Sequence, residues 1–230
     1  MQILINVGGV LLGHILGSIP FGLLIVKIKT GKDIRTVESG RTGGTNAMRA
    51  AGFWAGLVTA IMDIIKGAMA AWVAQSISPE NHIIHMLAPL AAILGHNYSI
   101  FLAERDANGR LRLRGGAGGA PALGGAAGLW WPILPIVFSL GALVFFTLGI
   151  ASVTTLAVGL FVIIIFAVRA YLGLMPPVEV VYGIIAEILL MWALRPNIQK
   201  LISGNERIVK YSLNGWLRAR KEHVEENKTN

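Results

Sequence analysis

Two glycine-rich segments carry arginine beside hydroxyl and amide side chains. The first is Glu38-Ser39-Gly40-Arg41-Thr42-Gly43-Gly44-Thr45-Asn46-Ala47-Met48-Arg49, and the second is Leu113-Arg114-Gly115-Gly116-Ala117-Gly118-Gly119-Ala120. Glycine lets a backbone approach an anion and turn its N–H groups toward it. Arginine adds a fixed charge with a fork that matches phosphate. The second segment runs into Pro121, a good first-turn residue, so it should deliver an anion to a helix N-terminus. No Gly-Lys-Ser/Thr follows it, which excludes a Walker loop. The plain alternatives are a polar basic loop for the first segment and a flexible linker for the second. Glycine and arginine concentrated twice in one chain favour phosphate.

Other candidate groups are isolated. Asp63 and Lys66 stand at i, i+3 spacing inside an apolar run, either bracing a polar site or forming an ordinary structural ion pair. Arg169 and Glu187 are the remaining lone charges in apolar runs and could pair with each other. His14, His82, His85, His96 and His223 are scattered, without metal-ligand spacing, so no metal is expected. No His is followed five residues later by Asp, and no Gly-x-Ser-x-Gly elbow occurs. Group transfer would therefore have to proceed without a His–Asp base. The chain has no cysteine, which excludes disulfides, thiolate metal sites and a Cys nucleophile.

The elements that must position these residues are membrane spans. Of the 230 residues, 54% are hydrophobic and 14% charged, with a mean hydropathy of +0.65. Runs at 3–26, 53–76, 83–103, 151–172 and 178–194 are each long enough for a span. The stretch 121–149 is too long for one, and Trp130-Trp131-Pro132 divides it into about 119–131 and 133–149. The fold expected is an all-α polytopic membrane bundle of seven helices, with five or six as fallback counts. Residues 3–26 read as a retained span, not a removable signal.

Charge sets the orientation. Lys27, Lys29, Lys32, Arg35, Arg41 and Arg49 lie between spans 1 and 2, Arg105, Arg110, Arg112 and Arg114 between spans 3 and 4, and eight more basic residues follow the last span. Seven spans put all of them on one side, the cytoplasm by the positive-inside rule, with the N-terminus outside and the C-terminus inside. This accounts for the net charge of +8 without nucleic acid, for which basic and aromatic residues would have to interleave. Residues 1–196 form the expected membrane domain and 197–230 a cytosolic segment, with a surface helix in its Trp216-Leu217 region and fraying after Glu222. Asp106-Ala107-Asn108-Gly109 reads as a tight turn.

Taken in order, the motifs resemble a known family. Gly17-Ser18-Ile19-Pro20-Phe21-Gly22, Asp33-Ile34-Arg35, Ser39-Gly40 through Gly43, Thr45-Asn46 and Arg49 are similar to the first motif of bacterial acyl-phosphate:glycerol-3-phosphate acyltransferases. Asp63-Ile64-Ile65-Lys66-Gly67 resembles that family's Asp-x-x-Lys-Gly. Gly95-His96-Asn97-Tyr98-Ser99-Ile100-Phe101-Leu102 with the Arg-Gly-Gly run resembles its second motif, and Asn197-Ile198, Leu201, Gly204 and Glu206 its C-terminal one. Ile150-Ala151-Ser152 stands where the family has its third cytosolic loop.

The resemblance implies a multi-pass enzyme of the bacterial inner membrane. It would move an acyl group from acyl-phosphate to the 1-hydroxyl of glycerol 3-phosphate, giving lysophosphatidic acid and phosphate, without cofactor or metal. Carried over, Ser39, Arg49 and Asn197 bind glycerol 3-phosphate and form the catalytic set. Arg41, Thr45, Asn46, Arg114, Gly115, Gly116, Gly118 and Gly119 are the substrate-binding candidates, the glycine loop holding the donor phosphate. Asp63, Lys66 and His96 are structural polar groups. Three positions depart from the family: Ala117 where it has lysine, Arg41 where it has asparagine and Leu194 where it has histidine. A diverged paralogue with altered or lost activity and a small-anion transporter are the alternatives. Polar density at one face, not at mid-membrane, favours the enzyme.

Overall fold

The computed structural model describes residues 1–209 and 212–220; His223 and the frayed end expected after Glu222 lie outside the described residues. The described residues form a helical bundle with one two-stranded hairpin. Helices α1 (Gln2–Ser18) and α2 (Phe21–Thr30) form one broken apolar run. A short amphipathic helix α3 (Gly44–Ala51) and the long α4 (Phe53–Ile77) follow. Next come α5 (His82–Asn97), strands β1 (Ser99–Arg105) and β2 (Leu111–Arg114), then α6 (Gly119–Leu129), α7 (Ile133–Leu148), α8 (Ala151–Tyr171) and α9 (Val178–Ile202). Residues 213–220 are also helical.

Three segments are long and apolar enough to cross a membrane by themselves: Gln2–Thr30 taken as one run, Phe53–Ile77 and Ala151–Tyr171; Ile133–Leu148 is a shorter apolar helix. Leu11, Leu160, Ile164, Val168 and Trp192 are exposed on outer faces, as lipid contact requires and water would not favour. Between helices the contacts are made by small residues. A Cβ at Gly17 would run into the Ala92 carbonyl of α5, and one at Gly67 into the Pro121 carbonyl of α6. In lipid, where tails are as apolar as Leu, such close backbone approach replaces the hydrophobic effect as the source of packing energy. The larger core side chains, Ile93, Phe166, Tyr182 and Leu190, lie among α5, α8 and α9; Tyr182 donates its hydroxyl to the Ala122 carbonyl at 2.6 Å.

The all-α expectation fails at one place. The span expected over 83–103 ends at Asn97, and Ser99–Arg105 is a strand. Tyr98, Ile100 and Phe101 are strand formers, and the charged Glu104-Arg105 that follows meets Leu111–Arg114 across a tight turn. Asp106 Oδ1 accepts from the Asn108 and Arg110 amides at 2.9 Å each, and Gly109 supplies the left-handed φ of 74°. A second departure is the break at Ile19–Pro20, where proline cannot donate to the helical ladder. Third, α9 continues through Pro196 to Ile202, so Asn197 sits on a helix rather than in a tail. Trp130-Trp131-Pro132 does separate α6 from α7. Arg169 and Glu187 do not pair: Arg169 stacks 3.9 Å over the Trp130 ring, and Glu187 faces Gly159.

Candidate active site

One cleft of about 230 Å³ gathers most of the polar residues read from the sequence. Its walls include the starts of three helices: Gly44 and Thr45 of α3, Gly119 and Ala120 of α6, and Ala151 and Ser152 of α8, with Thr155 one turn further along α8. None of the three has an acidic residue in its first turn or a side-chain cap. Each therefore presents unsatisfied N–H groups and the positive end of a macrodipole, worth about half an elementary charge, toward the same space. Arg41, Arg49 and Arg207 add full positive charges to the lining. Local helix starts thus converge in three dimensions on a site suited to an anion.

The first loop is shaped by Asn46. Its amide nitrogen donates to the carbonyls of Ile34, Val37 and Arg41 at 3.3, 2.9 and 2.9 Å, gathering residues 34–41 around one buried side chain. The Asn46 carbonyl oxygen is buried without a protein partner. Ser39 and Thr45 are exposed at the cleft. Arg49, one turn along α3, lines the cleft with no ion-pair partner among the described residues. Arg41 is half-buried and donates to the Ala193 carbonyl at 2.6 Å; burial pushes its guanidinium down from its ordinary value while nearby Glu206 opposes that shift.

The second loop divides in two. Ala117, Gly118, Gly119 and Ala120 line the cleft. Gly115 and Gly116 sit behind it as the seat of the loop: the Gly116 amide donates to the His96 carbonyl at 2.9 Å, and a Cβ at Gly115 would run into that carbonyl. Gly118 has a φ of 92°, the left-handed turn that points the loop into α6. Arg114 is outside the lining, paired with Glu104 of the hairpin. Glu104 also lies 3.6 Å from Arg35, whose guanidinium bonds Asp33 and holds that carboxyl below its usual range. The hairpin thereby ties Arg114 of the second glycine-rich segment to Arg35, just ahead of the first.

Beneath the cleft Asp63 and Lys66 form the pair expected from their spacing, 2.8 Å apart and almost fully buried. The Lys66 ammonium also reaches the Ile19 carbonyl freed by the α1–α2 break and His96 Nδ1, both at 2.9 Å. Asp63 and His96 both touch the cleft.

The C-terminal wall was only partly legible. Asn197 donates to Glu206 Oε1 at 2.9 Å, as does Ser152 Oγ. Glu206 is thus a bracket between α8 and α9. Arg207 bonds Glu38 at 2.7 Å and the Val209 amide donates to the Gly149 carbonyl at 2.8 Å, so 203–209 folds over the cleft. Ser152, Thr155, Glu206 and Arg207 were not among the candidates. Glu206 had a signal in the C-terminal motif, whereas Thr155 had none. Leu194, like Ala117, lines the cleft.

With this geometry in place the comparisons are specific. A family model described as glycerol-3-phosphate acyltransferase matches residues 7–204. The glycerol-3-phosphate acyltransferase of Limosilactobacillus reuteri is 32% identical over 220 residues, covering 94% of this chain and 97% of the relative. That of Thermus thermophilus is 34% identical over 197 residues, covering 86% and 92%. The crystal structure of PlsY (YgiH), an integral membrane glycerol 3-phosphate acyltransferase, in its glycerol 3-phosphate form superposes with a TM-score of 0.77 at 28% identity, over 89% of this chain and 95% of that one. Its lysophosphatidic acid form gives 0.76 at 26% identity, over 90% and 96%.

Proposed function

The chain belongs to the glycerol-3-phosphate acyltransferase family, and from that premise we propose that its acyl donor is an acyl phosphate and its product 1-acylglycerol 3-phosphate, lysophosphatidic acid. It is an integral membrane acyltransferase of phospholipid synthesis. The observation that carries the finer reading is the convergence of three uncapped helix N-termini and three arginines on one cleft. Two phosphate groups, one on each substrate, need that much positive potential.

The reaction asks little more of the protein than placement. The glycerol 1-hydroxyl attacks the acyl carbonyl, an ester C–O bond forms, and the carbonyl's bond to the phosphate oxygen breaks. The hydroxyl proton goes to the departing phosphate, which leaves as hydrogen phosphate. An acyl phosphate is already activated, so positioning and charge stabilisation suffice without a covalent intermediate. Arg49, Ser39 and Asn197 hold glycerol 3-phosphate. The amides of residues 117–120 and the α6 dipole hold the donor phosphate, with Gly115 and Gly116 fixing the loop from behind. Thr45 and Asn46 shape the cleft between them, and Arg41 supplies the cation that Ala117 does not. Arg114 acts on the site through Glu104 and the hairpin.

The deciding assay supplies purified protein with radiolabelled glycerol 3-phosphate and, in parallel, palmitoyl phosphate or palmitoyl-CoA, followed by lipid extraction. Labelled lysophosphatidate with the phosphate donor alone is the expected result; product from the thioester alone would overturn the donor. Within that assay Arg49→Ala should raise KM for glycerol 3-phosphate about 10- to 100-fold, the worth of one charge-assisted bond to phosphate. Arg49→Lys should recover part of it, since a point charge lacks the fork. An unchanged KM in Arg49→Ala would remove the residue from the site.

The same reading places the protein in the bacterial inner membrane, with α1–α2 as one span and α4 to α9 as six more, residues 1–196 as the membrane domain and 197–230 as a cytosolic segment. All cleft residues then face the cytoplasm, where both substrates are soluble or membrane-delivered. The chain has no cysteine to interfere with labelling. Exposed Glu80 and Asn108, changed singly to cysteine, should react with an impermeant maleimide from opposite sides of sealed vesicles. Reaction from one side would refute the seven-span arrangement.

A further inference from the structure

The Lys66 ammonium has three protons and three acceptors: the Ile19 carbonyl at 2.9 Å, Asp63 Oδ1 at 2.8 Å and His96 Nδ1 at 2.9 Å. A protonated Nδ1 facing an ammonium at that distance would set two N–H groups against each other. Asp63 Oδ1 also faces Nδ1 but at 3.5 Å, too long to compete with the ammonium at 2.9 Å, so Nδ1 offers its lone pair to Lys66 and the imidazole is neutral with its single proton on Nε2. Nε2 lies on the other side of the ring. It is the first atom that a Cβ on Gly116 would meet, and the ring borders the cleft beside Ala117 and Gly118 while remaining 95% buried, with only 5% of the residue exposed. Nε2 is thus the ring's edge toward the glycine loop, and the ring shares the cleft lining with residues 117–120 of that loop.

We propose that His96 is a phosphate ligand: held by Lys66 in the Nε2–H tautomer, it donates a hydrogen bond to the phosphoryl group of the acyl donor seated on the 117–120 loop. This rests on the acyl-phosphate reading. It gives His96 a donor's role and excludes it as the base, because its lone pair is already used by Lys66. It also assigns the buried Asp63–Lys66 pair a purpose: Asp63 keeps the ammonium in place, and the ammonium sets the tautomer. A neutral donor costs less to bury than the missing lysine would and does not repel Arg41.

The test is nitrogen NMR of the full chain in detergent with labelled histidine, the His96 signals being assigned by their loss in His96→Gln. Nε2 should appear protonated and Nδ1 unprotonated. Inorganic phosphate should move the Nε2 resonance saturably, with glycerol 3-phosphate present or absent, and glycerol 3-phosphate alone should not move it. A proton found on Nδ1, or an Nε2 signal indifferent to phosphate, would overturn the proposal; a shift caused by glycerol 3-phosphate alone would overturn the assignment to the donor. Kinetics supply the second arm. His96→Phe should lose about 100-fold in kcat/KM for palmitoyl phosphate, the usual effect of one preorganised donor, with KM for glycerol 3-phosphate unchanged. His96→Gln, whose amide can place an N–H near the Nε2 position, should recover most of that loss; equal loss in both variants would mean a structural role only. If the wild type makes no product from acyl phosphate, the donor reading falls, while the titration still judges His96 on its own.

Discussion

Gly116→Ala is expected to lower turnover about 100-fold, the scale of loss when a reacting group is misplaced by about 1 Å. The added Cβ would fall on the His96 imidazole, against Nε2 and its two neighbouring carbons. The ring cannot step aside, because Nδ1 is held by Lys66 and the Gly116 amide is itself bonded to the His96 carbonyl. Either the loop lifts away from α5 or the ring turns and releases Lys66. Both outcomes detach the 117–120 amides from their seat. The overpacking should also cost about 1–3 kcal/mol of stability, so initial rates are to be measured at a temperature where the variant remains folded. Gly8→Ala is the control: its Cβ would meet nothing within 4 Å, in a helix far from the cleft. Wild-type turnover in Gly116→Ala would disconnect the loop from the chemistry.

What the sequence disclosed follows the length scale of each signal. Apolar runs announce spans, and Trp130-Trp131-Pro132 announces the α6–α7 break, because membrane thickness and proline act locally. The i, i+3 spacing of Asp63 and Lys66 announces a pair for the same reason. The β-hairpin was hidden because Tyr98 to Leu102 is as apolar as a helix end, and its pairing depends on residues 111–114. Helix α3 was hidden by the glycines that begin it. In the second loop, glycine content alone could not separate the half that faces the cleft from the half that seats it. The residues that line the cleft were legible only in part, and their arrangement not at all. That α8 also starts at the cleft, and that Glu206 joins Ser152 to Asn197, are tertiary facts with no local sequence period.

The departures from the family pattern give the second large effect. Arg41→Ala should cost about 100-fold in kcat/KM for acyl phosphate, as expected for one group that stabilises developing phosphate charge. Sequence adjacency would have chosen Arg114 as the substitute for the lysine absent at Ala117. We assign that role to Arg41, since Arg114 lies outside the cleft on Glu104, whereas Arg41 and Ala117 both line it. Arg41 is well placed to act: one guanidinium nitrogen is anchored on the Ala193 carbonyl, and partial burial weakens solvent screening of the rest. Arg114→Ala, which reaches the site only through Glu104 and the hairpin, should accordingly cost much less than Arg41→Ala. Ala117→Lys in the Arg41→Ala background should restore at least about tenfold, by returning a cation to the loop beside the α6 N-terminus. In the wild-type background the same lysine should gain less, because it must share the cleft with Arg41. The two changes will then be non-additive in a double-mutant cycle, which is the signature of residues serving one phosphate. All four variants are to be compared at one ionic strength. Simple additivity, or no rescue by Ala117→Lys, would show that the two positions serve different groups and that Arg41 does not stand in for the lysine.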